Sequence, residues 1–191
     1  MKWLAWGVAG LLGLVLVMVG VLWVLGRRGE AGRVQASIDV DRPPAEVWEW
    51  ITEPKKEKAW VSWLVEVKAD GPVQVGSHQV WVMEDRNNSN ERVEIGSVAT
   101  AVEPGHRLDV RLSAPGMFTG DAVYTLRDLG HGRTGLAVDS RYRYDMAFAR
   151  LMEPLITPSA KKKFVEDLAR LKTLAESAPP EGAAAQANET R

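Results

Sequence analysis

Asp39-Val40-Asp41-Arg42-Pro43-Pro44-Ala45-Glu46-Val47-Trp48-Glu49-Trp50 joins a strand to a helix. Before the join, Val34, Ala36, Ile38 and Val40 alternate with Gln35, Ser37 and Asp39, the period-two pattern of a half-buried strand. After it, Pro44 suits the first turn of a helix and Glu46 complements the positive end of the helix dipole. Val47, Trp48 and Ile51 then share one inward face. A strand followed by a short proline-opened helix sets the frame for everything downstream.

From Val61 the chain reads as a meander. Trp63, Val65, Val67 and Ala69 alternate with Leu64, Glu66 and Lys68, and Gly71-Pro72 and Gly76 mark the next connection. Strands are predicted over 79–84, 92–102, 107–112, 121–127 and 135–144, with Asn87-Asn88-Ser89-Asn90 a strong turn signal and Gly96 a candidate bulge. Ala122, Tyr124 and Leu126 on one strand and Leu136, Val138, Tyr142 and Tyr144 on the next line a common face. Phe164, Val165, Leu168, Leu171 and Leu174 follow helical spacing and define a long final helix. Pro154 and Pro158 predict a kink or two segments upstream, and the Pro- and Ala-rich stretch 177–191 reads as a disordered tail.

Trp3 to Leu25 carries no charged residue and, as a helix, is about 33 Å long, enough to cross a bilayer. Trp3, Trp6 and Trp23 fall near its ends, as interfacial belts require. A cleaved signal peptide is the rival reading, but the apolar run exceeds the usual length and Leu25-Gly26-Arg27-Arg28 offers no small-x-small cleavage site. The expected organisation is a transmembrane anchor over 1–26, a linker over 27–33, a folded domain over 34–176 and the tail. Arg27, Arg28 and Arg33 against Lys2 favour a single-pass protein with a cytoplasmic domain. Ala5, Ala9 and Gly13, four residues apart, suit a homodimer through the membrane helix.

The 191 residues carry a formal net charge of -1, which gives no global positive field for nucleic acid. Cysteine is absent and histidine occurs only three times, so disulfides, thiolate chemistry and a multi-histidine metal site are not expected. No phosphate loop, Gly-x-Ser-x-Gly or His-Glu-x-x-His is present, and adjacent Glu84-Asp85 point to opposite faces of a strand. No catalytic residue, metal or cofactor is assigned. The enzyme question stays open and leans towards a binding protein.

A curved antiparallel sheet of about seven strands gripping one long C-terminal helix is an α+β architecture that leaves a gap beneath the helix. In this order of elements the chain resembles the START-like or SRPBCC superfamily, in its polyketide cyclase/dehydrase-like branch. The motifs are Pro44-Ala45-Glu46-Val47-Trp48, Trp60 after a charged loop, Gly71 and Gly76 around a turn, Glu103-Pro104-Gly105-His106-Arg107-Leu108 and Asp167-Leu168-Ala169-Arg170-Leu171-Lys172. The resemblance covers roughly 34–176 and implies a helix-grip fold that binds hydrophobic small molecules or lipids. Counting from Gly76 by this analogy turns Gln79, Trp81 and Met83 inward.

The candidate ligand-binding residues are Trp81, Met83, Tyr124, Tyr142, Tyr144, Phe148 and Met152. Indole and phenol side chains offer large apolar surfaces with one polar atom each, and flexible Met suits an adaptable ligand. Trp48 and Trp63 are expected to plug the core. Lys55-Lys56 with Lys58 and Lys161-Lys162-Lys163 are candidate contacts for anionic headgroups. The expected function is membrane-anchored binding or transfer of a hydrophobic molecule between sheet and C-terminal helix. The alternatives are a cyclase/dehydrase-like enzyme, its tyrosines polarising a carbonyl, and a non-catalytic interaction module of a membrane complex.

Overall fold

The computed structural model describes residues 2–26, 32–85 and 91–179. After helix α1 (Lys2–Gly26), strand β1 (Arg33–Val40) leads through Pro43 into α2 (Pro44–Trp50) and then α3 (Pro54–Trp60). Both short helices open on proline, where the missing N–H is no loss because first-turn amides have no intrahelical acceptor. The chain continues as β2 (Leu64–Ala69), β3 (His78–Asp85), β4 (Glu91–Glu103), β5 (Arg107–Ala114), β6 (Phe118–Gly130) and β7 (Arg133–Tyr144), and ends in α4 (Ala147–Ser177).

The seven strands form one antiparallel sheet in the order β1-β7-β6-β5-β4-β3-β2. Helices α2 and α3 thus carry the chain from one sheet edge to the other, and the rest returns as a meander. Helix α4 closes the concave face by burying Leu168, Leu171 and Ala175 against Val40, Val47, Leu136 and Val138. Seventeen buried residues in this cluster form one core.

Three local readings need correction. Strand β2 begins at Leu64 because Trp63 sits at φ 70, a left-handed turn that ends any alternation from Val61. The irregularity in β4 lies between Ala99 and Ala101, while Gly96 stays in register with Val80 and Ser113. Its cause is visible: Gly76 N–H donates to Ala99 O at 2.8 Å and Ala99 N–H to Ser77 O at 3.1 Å, so the turn before β3 bonds to this part of β4. Finally, α4 runs as one helix with Pro154 and Pro158 inside it, so of the expected kink or two segments the division does not occur.

The C-terminal end of α4 is fixed by β1 and the residues that follow it. Arg42 donates Nε–H to Ala175 O at 3.0 Å and Nη2–H to Glu176 O and Ala178 O, both at 2.7 Å, capping carbonyls that have no helical donor. Thr134, fully buried, donates its hydroxyl to Arg42 O at 2.7 Å. Lys172 donates to Asp39 O and Glu176 accepts from Asp41 N–H. One turn back, buried Asp167 accepts from Ser62 N–H and hydroxyl and from Lys163, whose ammonium lies 5.2 Å from the Trp63 ring centroid.

Among the described residues no helix is long and apolar enough to cross a membrane. The expected transmembrane helix is therefore not shown. Trp3–Leu25 does lie within the 25-residue α1. Its described side chains, such as Leu11, Leu14, Val17 and Val24, are exposed, whereas those of 2–9, Ala5 and Ala9 included, lie outside the described residues. The linker 27–31, the turn 86–90 and the tail from 180 also lie outside the described residues.

Candidate functional site

The enclosed cavity lies between the inner face of β3–β6 and the segment that runs from α2 into α3. Ile51, Thr52, Glu57 and Trp60 form one wall, Gln79, Trp81, Ser97 and Ala99 a second, and Leu108, Val110, Leu112 and Tyr124 a third. Val73 and Ser77 close it from the connection between β2 and β3. No described residue of α4 is among the lining, so this void sits beside the gripped helix and not beneath it. Its free volume is about 20 Å³, room for about one water.

Glu57 is the feature that separates this cavity from ordinary core. It is 3 % exposed, and its Oε2 has no hydrogen-bond partner among the described residues. Helix α3 puts it there: Trp60 and Val61, three and four residues on, share its face and are buried, while Lys55, Lys58 and Ala59 face solvent. Burial alone pushes the carboxyl up from 4.5 to about 8, so at neutral pH it is an uncharged acid with an O–H to give. The Trp81 indole Nε1, also buried, likewise has no partner. Left without a partner, each such group would cost about 1–3 kcal/mol.

Tyr124 completes the site. Its phenol is raised well above 10 first by burial, then by Tyr142 and by Glu57, so it stays protonated at any physiological pH. The strand register sets Tyr124 opposite Leu108 on one side and Val138 on the other, both buried. Trp60, by contrast, spends its indole N–H on Trp50 O at 2.7 Å and is a plug of the wall.

Of the residues expected from sequence to meet a ligand, Trp81 and Tyr124 line this cavity. Met83 is on the same face of β3 and packs against the core. Tyr142 lies edge-on to Phe118, ring centroids 5.6 Å apart, with its phenol raised by burial. Tyr144 lies beside Gly32. Phe148 is 70 % exposed and Met152 half-buried, both on α4 and away from the void. Glu57 escaped the sequence reading because it stands in a charged run, Pro54-Lys55-Lys56-Glu57-Lys58, that looks solvated. The signal was its helical spacing to Trp60 and Val61.

Of the lysines expected to meet headgroups, Lys56 and Lys163 are engaged internally. Lys56 pairs with Glu49 and, at 3.4 Å, with Glu53; Lys163 pairs with Asp167 at 2.7 Å. Two wider hollows lie on the sheet away from this cavity. They run among Gln35, Ser37, Arg107 and Asp139 and around Gly120, Arg111 and Asp121, and both are open to solvent. Among the described residues no group of three or more histidine or carboxylate side chains is placed to hold a metal ion.

Residues 31–176 match the family described as "Polyketide cyclase / dehydrase and lipid transport". The chain belongs to this family. Solved structures share its fold at low identity. The Zhui aromatase/cyclase from Streptomyces sp. R1128 is 15 % identical, with a TM-score of 0.62 over 75 % of this chain and 93 % of that one. Protein CV1439 from Chromobacterium violaceum is 15 % identical, with a TM-score of 0.60 over 77 % of this chain and 99 % of that one. DynU16, a putative protein in the dynemicin biosynthetic locus, is 22 % identical, with a TM-score of 0.56 over 78 % of this chain and 48 % of that one. No curated protein matches the sequence.

Proposed function

We propose that this protein binds a hydrophobic small molecule or lipid in the cavity walled by Glu57, Trp81 and Tyr124, and that α1 tethers it to a membrane. The observation that carries the reading is an enclosed, mostly apolar void containing two polar atoms with no partner among the described residues. A chain selected for stability alone would fill such a site with hydrocarbon, because burying unpaired polar groups is costly. Family membership is consistent with this, since its description joins cyclase, dehydrase and lipid transport.

Entry requires a wall to move, because the closed void holds no more than a water. The connection over 70–77 is the wall best suited. It contributes Val73 and Ser77 to the lining, turns at Gly71 and Gly76 with positive φ, and leaves Val75 65 % exposed. The tether rests on the uncharged run Trp3–Leu25 within a 25-residue helix about 37 Å long. The basic residues after it favour a cytoplasmic domain.

Native mass spectrometry of the detergent-purified full chain, with organic extraction, tests the binding reading. A stoichiometric lipid or polyketide lost on Trp81→Ala supports it, and a folded protein that carries nothing and takes up nothing from a lipid extract overturns it. Alkaline carbonate washing tests the tether: release of the full chain into the supernatant removes it. A second reading, a non-catalytic interaction module, is favoured by the small void and by Trp60 filling one wall. A cyclase-type enzyme is favoured by one observation, an inward acid close enough to Tyr124 to raise its phenol.

A further inference from the structure

The two partnerless atoms in the cavity belong to an indole N–H, which only donates, and to a carboxyl, which can donate and accept. The Trp81 indole Nε1–H is a donor with no acceptor capacity, and a neutral carboxyl offers one O–H. The other polar groups of the lining are neutral: Thr52, Ser77, Gln79, Ser97 and Tyr124. No cation is among the lining residues to hold Glu57 as a carboxylate, so the corner presents donors in excess of fixed negative charge.

We propose that the Glu57 carboxyl and the Trp81 indole N–H form a donor pair that takes the oxygen of a carbonyl or enol head group on an otherwise apolar ligand. The inference rests on the cavity being a ligand site and adds which chemistry it selects. A void of about 20 Å³ lined by both donors accepts one oxygen-sized group, while the ligand's hydrocarbon body takes the space vacated when the Val73–Ser77 wall moves. A purely hydrocarbon ligand would leave both donors unmade. A site built on buried donors discriminates against such a ligand more strongly than a merely apolar site discriminates by size. A carboxylate or phosphate head is disfavoured, since no cation among the lining residues offsets the cost of desolvating its charge.

The test uses the full chain in detergent with two probes of nearly equal shape, acetophenone labelled with carbon-13 at the carbonyl and ethylbenzene. Affinities are compared between wild type and variants in the same detergent, so partition into micelles cancels for each probe. The bound carbonyl resonance should move downfield of its micelle position, as it does on accepting hydrogen bonds. Glu57→Leu should weaken acetophenone about tenfold and leave ethylbenzene unchanged or tighter. Glu57→Gln, which keeps an N–H donor, should stay close to wild type. Trp81→Phe, which keeps a ring without the N–H, provides the same comparison if Glu57→Leu does not fold. Equal losses for both probes, or no loss for acetophenone, overturn the donor pair and leave the cavity reading standing. Binding of neither probe by wild type overturns both together.

Discussion

At the C-terminal end of α4, Leu168, Leu171 and Ala175 are at most 1 % exposed and Arg42 caps the last carbonyls. At the N-terminal end, Phe148 and Leu155 leave 70 % and 65 % of their surfaces open, Pro154 and Pro158 remove two amide donors, and the N-cap Met146 makes no side-chain capping bond. One helix thus contains a fixed half and a loose half. The fixed half faces α2 and β1, where apolar contacts and capped backbone groups agree with one another. The difference separates stability from binding: the grip is secured at one end, and neither end of the helix forms the cavity, which lies against α3 and the middle of the sheet.

Breaking the fixed half should have the largest effect. Leu171→Ala leaves a hole in a fully buried site and is expected to cost roughly 4 kcal/mol in denaturant melts of the detergent-solubilised chain. A loss below about 1 kcal/mol would mean that the core closes over the space and that the end is not rigid. Arg42→Ala removes three donors from the end of α4 and should cost about 3 kcal/mol, since the carbonyls lose charge-assisted bonds in a partly buried place. Arg42→Lys should recover only part of this, because one ammonium does not span Ala175, Glu176 and Ala178 as the guanidinium fork does.

The cavity should show itself through pH. Below pH 4.5 Glu57 is protonated folded and unfolded, so its raised folded value of about 8 costs nothing. Between those values the unfolded chain releases the proton and the folded chain holds it, so stability falls as pH rises; above about 8 the loss is complete. Tyr124, the titratable group beside it in the lining, stays protonated throughout. The stability of wild type relative to Glu57→Gln should therefore drop by roughly 3 kcal/mol from about pH 5 to about pH 9. A flat difference would show that Glu57 reaches solvent or a partner, and the cavity would lose its defining group.

The order of elements was legible because each depends on a local rule. Alternation in Val34–Val40, proline at position 44, glycine at 71 and 76 and the helical spacing of Leu168 and Leu171 each name their element without reference to the rest. Tyr124 was legible as inward because strand parity sets it on one face with Ala122 and Leu126, whereas Trp81 was turned inward only by the family resemblance. The break of β2 at Trp63 was not, since a left-handed tryptophan is held by contacts from β3 and α4 that are distant in sequence. Glu57 was legible in principle from Trp60 and Val61, but a charge among lysines reads as solvated until α3 is known to lie against the sheet. The position of the void off α4 was not legible at all, because it depends on how deeply α3 and the 70–77 connection sit in the concave face.

The smallest effect is expected at the loose half of α4. Leu155→Ala should change stability by about 0.5 kcal/mol or less, as exposed sites do, and Phe148→Ala should do the same. Losses of about 2 kcal/mol at either position would mean that these side chains are covered. Helix α1 contacts α4, as β1, β7, α2 and α3 also do, and the cover would then come from one of these. In that case the helix would be fixed at both ends, and the contrast between its halves would disappear. A small effect leaves the contrast intact and places the freedom of the fold in the first two turns of α4 and in the 70–77 connection.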